Sequence, residues 1–377
     1  MNNYGLATIH QFLGDRVVYR NLAPLDESLP GLDDLRSRVG LSPGVFPRKT
    51  EAAYAQVVVH MLAAARDQDA PSVPIRRLIF IGDTRLLDGT AFVNLCAAGG
   101  WPGIAFIGSE TKSDPSVEAV PTGQGPWLYL SNRWAALLAF DRYCQSQGLP
   151  VDEHAAVIVD LDKTALGARG RNGNVIDQAR LQAVQDTLAS LLGTAFDMGA
   201  FRAAYEPLNQ PEFHPFTGDN QDYLAYICLI LGAGLYGRET LMADVRSGRV
   251  DAFTQFIADV EAHKTNLPRE LEEIHAEIYA NVQRGDPTPF KAFRRNEYLT
   301  TIRRFGCGDD TAPVEKLLNE EIVITHELLA IAQTWRERGA LLFGLSDKPD
   351  EAALPTPELV AQGYPSLHRA RTHAVGE

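Results

Sequence analysis

Three short apolar runs, each cut off by a polar residue, restrict the possible folds of this chain more than any other feature. They are Leu78-Ile79-Phe80-Ile81 before Gly82-Asp83, Ala155 to Val159 before Asp160, and Ala340 to Leu345 before Ser346. Unbroken apolar runs of this length are the pattern of strands buried on both faces, as in a parallel sheet covered by helices on either side. A fourth run, Gly103 to Ile107, follows a helical pattern over Asp88 to Ala98. Further helices are expected over Leu32 to Val39, Thr50 to Arg66 and Trp134 to Gln147. Short strands are expected near Arg16 to Tyr19, Trp127 to Leu130 and His368 to Val375, with a Ser-, Pro-, Thr- and Gly-rich loop over 108–126. A parallel sheet places its site at the carboxyl ends of its strands, so the residues that end these runs are the first candidates for chemistry.

Residues 181–335 have a different texture. Helical patterns occupy 181–195, 222–234, 238–247, 251–262, 269–283, 290–304 and 313–336, and no buried strand stands out. The expected fold is therefore α/β: a doubly wound, mainly parallel sheet built from 1–165 and 336–377, with a large helical insertion over 166–335.

Composition narrows the function classes. The chain has 377 residues, 45% of them hydrophobic, which suits a packed globular protein. Its 35 Lys and Arg against 48 Asp and Glu give a net charge of −13, which disfavours nucleic acid and anionic membranes as partners. The four cysteines form no CxxC pair, so neither a zinc knuckle nor a disulfide framework is expected. Leu224 to Leu235, the longest apolar stretch, falls short of the roughly 20 residues needed to span a bilayer. No basic region followed by an apolar run opens the chain, so no signal peptide is expected and the protein reads as cytoplasmic. No GxGxxG follows a strand and no HExxH is present, which argues against a nicotinamide-binding fold and that zinc motif.

The most informative segment is Val157-Ile158-Val159-Asp160-Leu161-Asp162-Lys163-Thr164, where a buried strand delivers two aspartates two residues apart. The plain alternative is a strand followed by an Asx turn. The segment resembles motif I of the haloacid dehalogenase-like superfamily. That resemblance implies that Asp160 attacks a phosphoryl group to form an aspartyl-phosphate, and that Asp162 protonates the leaving oxygen and then activates water. It also implies a magnesium ion that offsets the charge where carboxylate and phosphate meet. Asp162 favours phosphate chemistry over dehalogenation, which has no leaving alcohol to protonate.

Ala340 to Asp347, a strand ending in Ser346, resembles motif II, whose hydroxyl holds the phosphate. Ser131-Asn132 also resembles it, with a helix N-cap as the plain alternative. Leu78 to Asp88 (LIFIGDTRLLD) resembles motif IV, making Asp83 and Asp88, with Asp160 and Asp162, the metal candidates. Lys49, at the start of the helix before that strand, matches the placement of the motif III lysine, and Lys348 is its competitor. The chain order is thus III, IV, I, cap, II. Around a circle this equals I, II, III, IV, so the resemblance implies a circularly permuted core with a helical cap between motifs I and II. Permutation is tolerable where the ends of a domain lie close together.

Thr164, Arg169 and Arg171 are the candidate substrate contacts, the arginines lying in the Gly- and Arg-rich loop 163–177, with a solvated hinge as the plain alternative. Lys291, Arg294 and Arg295 are further candidate anion contacts. A cap in this position implies a small soluble phosphorylated substrate. The rival readings are a non-catalytic binding or scaffold protein and a separate N-terminal α/β module fused to a partial haloacid dehalogenase-like domain. A homodimer, including one that completes its site by swapping 1–107 between chains, is a further possibility.

Overall fold

The computed structural model describes residues 1–123 and 125–377; Gln124, inside the expected loop 108–126, lies outside the described residues. The described residues form two compact units, 1–178 with 301–377, and 179–300.

The first unit is built on a seven-stranded sheet. Its strands are β2 (Val17–Val18), β3 (Arg77–Gly82), β4 (Gly103–Gly108), β5 (Val117–Pro121), β6 (Trp127–Ser131), β7 (Ala155–Asp160) and β9 (Leu341–Leu345), in the order β2-β9-β7-β3-β4-β6-β5. All neighbours are parallel except β5, which runs antiparallel to β6. The expected α/β, mainly parallel sheet is present. The loop expected over 108–126 contains β5, an exposed edge strand with no apolar run to announce it.

Alternate residues of each strand serve opposite faces. Leu78, Phe80, Ala156, Ile158, Leu341 and Phe343 share one core with the helices Ala52–Asp69 and Leu87–Gly99. On β4 and β6, Phe106 and Tyr129 pack against Phe140 of the helix Leu137–Ser146. Trp335 of the helix His326–Glu337 donates its Nε1 hydrogen to Asp141 of the helix Leu137–Ser146. The sheet is covered on both sides, which explains the unbroken apolar runs.

A second sheet of three strands joins the two ends of the described chain. β1 (Asn2–Ala7) pairs antiparallel with β10 (Thr372–Gly376), Asn2 facing Gly376, and β10 pairs parallel with β8 (Ile324–Thr325). The helix expected over 313–336 is therefore two helices, Val314–Glu320 and His326–Glu337, separated by β8.

The expected boundaries of the helical insertion, 166–335, need correction. Residues 166–178 and 301–335 belong to the sheet unit because polar contacts fasten them to one another. Asn172 donates to the carbonyls of Leu318 and Glu321 and accepts from Val323 N, and Gly167 N donates to Val323 O. The helical unit, 179–300, has its own core, centred on the helix Gln221–Gly232 and on Phe213, Phe253, Phe256, Ile257 and Phe293. Among the described residues no helix is long and apolar enough to cross a membrane.

Candidate functional site

Sheet register brings the remote motifs level. β7 lies between β9 and β3, with Asp160 opposite Leu345 and Val159 opposite Ile81. Ser346 and Gly82-Asp83 therefore leave the sheet beside Asp160. β7 is also where the chain order switches sides, the place where an open parallel sheet forms its crevice.

The turn after β3 is shaped around Asp88. Its Oδ2 accepts hydrogen bonds from Asp83 N, Thr84 N and Thr84 Oγ1, each 2.9 Å long. Asp88 lies in the first turn of the helix Leu87–Gly99, where a negative charge is favoured. A Cβ on Gly82 would lie 2.7 Å from the Asp88 side chain, so only glycine leaves room for this arrangement.

Lys49 precedes the helix Ala52–Asp69 and is buried. Its Nζ donates to Asp88 Oδ1 at 2.7 Å and to Asp160 Oδ1 at 2.6 Å, and lies 5.5 Å from the centre of the Phe80 ring. Asp83 Oδ2 accepts a hydrogen bond from Arg169 Nε. Three carboxylates thus face two cations in a largely dry site.

The electrostatics follow from this imbalance. Burial and the neighbouring carboxylates push Asp160 well above the usual range, although Lys49 pulls the other way. Burial and Asp88 push Asp83 up to about 7, partly opposed by Arg169. Burial would raise Asp88 too, but Lys49 and the donors in the 83–84 turn lower it to about 2. Burial alone would lower Lys49; Asp160 and Asp88 reverse that and hold it well above its ordinary value, so it remains an ammonium.

One oxygen each from Asp83, Asp88 and Asp160 lies within 4.8 Å of the other two. All-oxygen, excess-negative donor sets suit a hard divalent cation such as magnesium. Asp88 Oδ2 already receives three donors, so the freer oxygens belong to Asp83 and Asp160, and Asp88 fixes Lys49 and the turn. Asp162, the fourth metal candidate, is not in this cluster: the strand ends at Asp160, and Asp162 sits in the following turn, bridged to Leu166. There its charge acts on the buried Tyr19 hydroxyl.

The other expected residues separate by position. Ser346 is buried beside Asp160, its N donating to Val18 O and its Oγ accepting from Lys348 N. Ser131 ends β6, three strands from β7, with its hydroxyl donating to the carbonyls of Arg133 and Ser116. Of the two lysines, Lys49 is bonded to Asp160. Thr164 is fully buried and its Oγ1 has no hydrogen-bond partner among the described residues.

Arg169 is at the site through Asp83, whereas Arg171 is taken up by an ion-pair network of its own. Arg171 is buried between Glu110 and Glu327 and donates to both carboxylates. The loop there is pinned: a Cβ on Gly170, whose φ is +78°, would lie 1.9 Å from Glu110 O, and Trp134 Nε1 donates to Arg169 O. Arg294 is likewise engaged, with Asp222 and Glu297, inside the helical unit. Thr84 was missed as a site residue. It stands in the quoted GDT, but its cap on Asp88 needs the folded turn to be seen.

No protein-family model, no curated protein and no solved structure matches this chain.

Proposed function

We propose that this protein is a magnesium-dependent phosphohydrolase or phosphotransferase acting on a small soluble phosphorylated metabolite. The observation that carries this reading is the buried Lys49 bridging Asp160 and Asp88 beside Asp83, at the carboxyl ends of adjacent parallel strands.

An Asp160 oxygen attacks phosphorus and the bond to the leaving oxygen breaks, giving an aspartyl-phosphate and an alcohol that takes its proton from Asp162. Asp162 then removes a proton from water, the water oxygen attacks the same phosphorus, and the Asp160–phosphorus bond breaks to release phosphate. An acceptor alcohol in place of water gives transfer instead of hydrolysis. Lys49 holds Asp160 in position and offsets charge on the phosphoryl oxygens, to which Ser346 donates a hydrogen bond. Asp83 and Asp160 would hold a magnesium ion, with Asp88 fixing the turn, and the ion would supply positive charge against the three carboxylates and the phosphoryl group.

The circularly permuted haloacid dehalogenase-like reading gains support from two features. β3 and β7 are neighbours in one sheet, which speaks against a separate N-terminal module. β1 pairs with β10, as expected where a permutation opens one connection between motifs II and III and leaves its two sides adjacent. Lys49, Asp83, Asp88 and Asp160 also meet within a single chain, so the site does not require a swapped partner.

The test is hydrolysis of an aryl phosphate with and without magnesium, in the parent protein and in Asp160→Asn. Turnover lost in chelator and in the variant is expected. A protein that binds magnesium and phosphate without turning over any phosphate ester is a binding protein instead; one that binds neither overturns the reading.

A further inference from the structure

Arg169 reaches the site by a single bond. Its Nε donates to Asp83 Oδ2, and its other two guanidinium nitrogens have no hydrogen-bond partner among the described residues. The arginine side chain is 39% exposed and that of Asp83 only 7%, so solvent reaches the cation but hardly the carboxylate it meets. The backbone of Arg169, by contrast, is held. Its N donates to Lys163 O at 2.7 Å, and its carbonyl accepts from Glu110 N at 3.0 Å and from Trp134 Nε1 at 3.2 Å. Only the side chain is able to swing. Lys49 differs: it is buried and bonded to both Asp88 and Asp160. Asp83, Asp88 and Asp160 are the three residues whose oxygens come together within 4.8 Å. Three ionised carboxylates and the Lys49 ammonium leave two negative charges, which one divalent cation balances. Arg169 already meets part of that demand.

We propose that Arg169 and a divalent cation compete for Asp83: the arginine is a built-in counter-ion that gives up the carboxylate and swings toward solvent when the cation binds. This rests on the phosphotransfer reading of the site, which calls for that cation. A guanidinium and a divalent cation on one carboxylate repel each other. The group that yields is the one with a single, partly solvated bond, and that is Arg169 and not Lys49. The opposite role, an arginine that steadies Asp83 for the metal, differs in sign. Removing a competitor raises cation affinity, whereas removing a support lowers it.

The experiment measures magnesium binding by calorimetry at pH 8 in the parent protein and in Arg169→Met. The variant binds magnesium about tenfold more tightly, because one charge-assisted competitor is gone. A second readout follows the arginine itself. In protein carrying isotope-labelled arginine, the Arg169 Nε–H resonance is identified by its absence from Arg169→Met and from Arg169→Lys. It moves to the position of solvated arginine as magnesium saturates the parent. The urea midpoint shows that the variant is folded, and magnesium raises that midpoint more in Arg169→Met than in the parent, as tighter binding requires. Equal or weaker magnesium binding in the folded variant, or an Arg169 resonance that stays in place at saturation, overturns the competition and leaves the proposed function standing. If neither protein binds magnesium, the magnesium-dependent reading falls and this inference falls with it.

Discussion

Lys49 Nζ lies 2.6 Å from Asp160 Oδ1, although the two residues are 111 positions apart in the chain. The pair is buried, and Lys49 is also the contact between Asp160 and Asp88. Removing one partner of a buried ion pair leaves a charge without compensation, which costs about 3–5 kcal/mol. Lys49→Met should therefore be destabilised by about that amount at pH 8. Without the ammonium, Asp160 and Asp88 titrate higher in the folded state than in the unfolded chain. Protonation relieves their repulsion, so the deficit shrinks as the pH falls. Urea midpoints at pH 8 and pH 6 measure this, and a deficit that does not depend on pH would show that Lys49 is not the compensating charge.

Asp160→Asn should separate activity from stability. It keeps the side-chain shape and removes one of three carboxylates that repel one another, in a place where burial already disfavours the ionised form. The variant should unfold at the same urea concentration as the parent or higher, while hydrolysis of an aryl phosphate falls by at least about 10³-fold. Retained turnover would remove Asp160 from the nucleophile's role.

The strands that carry Asp83, Asp160 and Ser346 were legible in the sequence because each is buried on both faces and so leaves an apolar run. Their order in the sheet was not, since adjacency depends on which helices cover which face. The cyclic order of motifs pointed to Lys49, and the fold sets its Nζ against Asp88 and Asp160. The partners of Arg171 were not legible for a physical reason: a Gly- and Arg-rich loop reads the same whether its arginine meets solvent, substrate or two buried glutamates. Glu110 and Glu327 lie 61 and 156 positions away, beyond any local pattern. The last strand was expected near His368 to Val375, but its pairing with the first was hidden, because β1 alternates exposed and half-buried residues around Gly5.

Gly82→Ala should damage the site without touching any of its functional groups. The added methyl would sit 2.7 Å from the Asp88 side chain, which must then turn away from Lys49 and from the N–H groups of Asp83 and Thr84. Overpacking of this kind costs about 1–3 kcal/mol. Magnesium affinity should fall by about tenfold or more as the turn that carries Asp83 loses its anchor. Calorimetric magnesium titration checks this, and unchanged affinity would show that the Asp88 anchor does not set the cation site.

Glu321 gives a pH signature far from the site in sequence and chemistry. It is fully buried and accepts from Gly306 N, Gly308 N, Thr372 Oγ1, His373 N and the His373 ring. Burial would raise its pKa, but these donors outweigh it and hold the carboxyl below its ordinary 4.5. A carboxyl depressed in the folded state contributes stability that is fully present above the unfolded value and is lost as the pH falls through the folded one. Glu321→Gln loses that contribution at every pH and replaces an acceptor by an NH2 that faces donors. The variant should be less stable than the parent by about 2–3 kcal/mol at pH 7. The gap should narrow as the pH falls below the ordinary carboxyl value and the parent's own carboxyl takes up a proton. Urea unfolding of both proteins at pH 7, 5 and 3.5 measures the gap directly. A constant gap would mean that Glu321 is held by shape and not by its charge, while a gap that widens toward low pH would reverse the assigned shift.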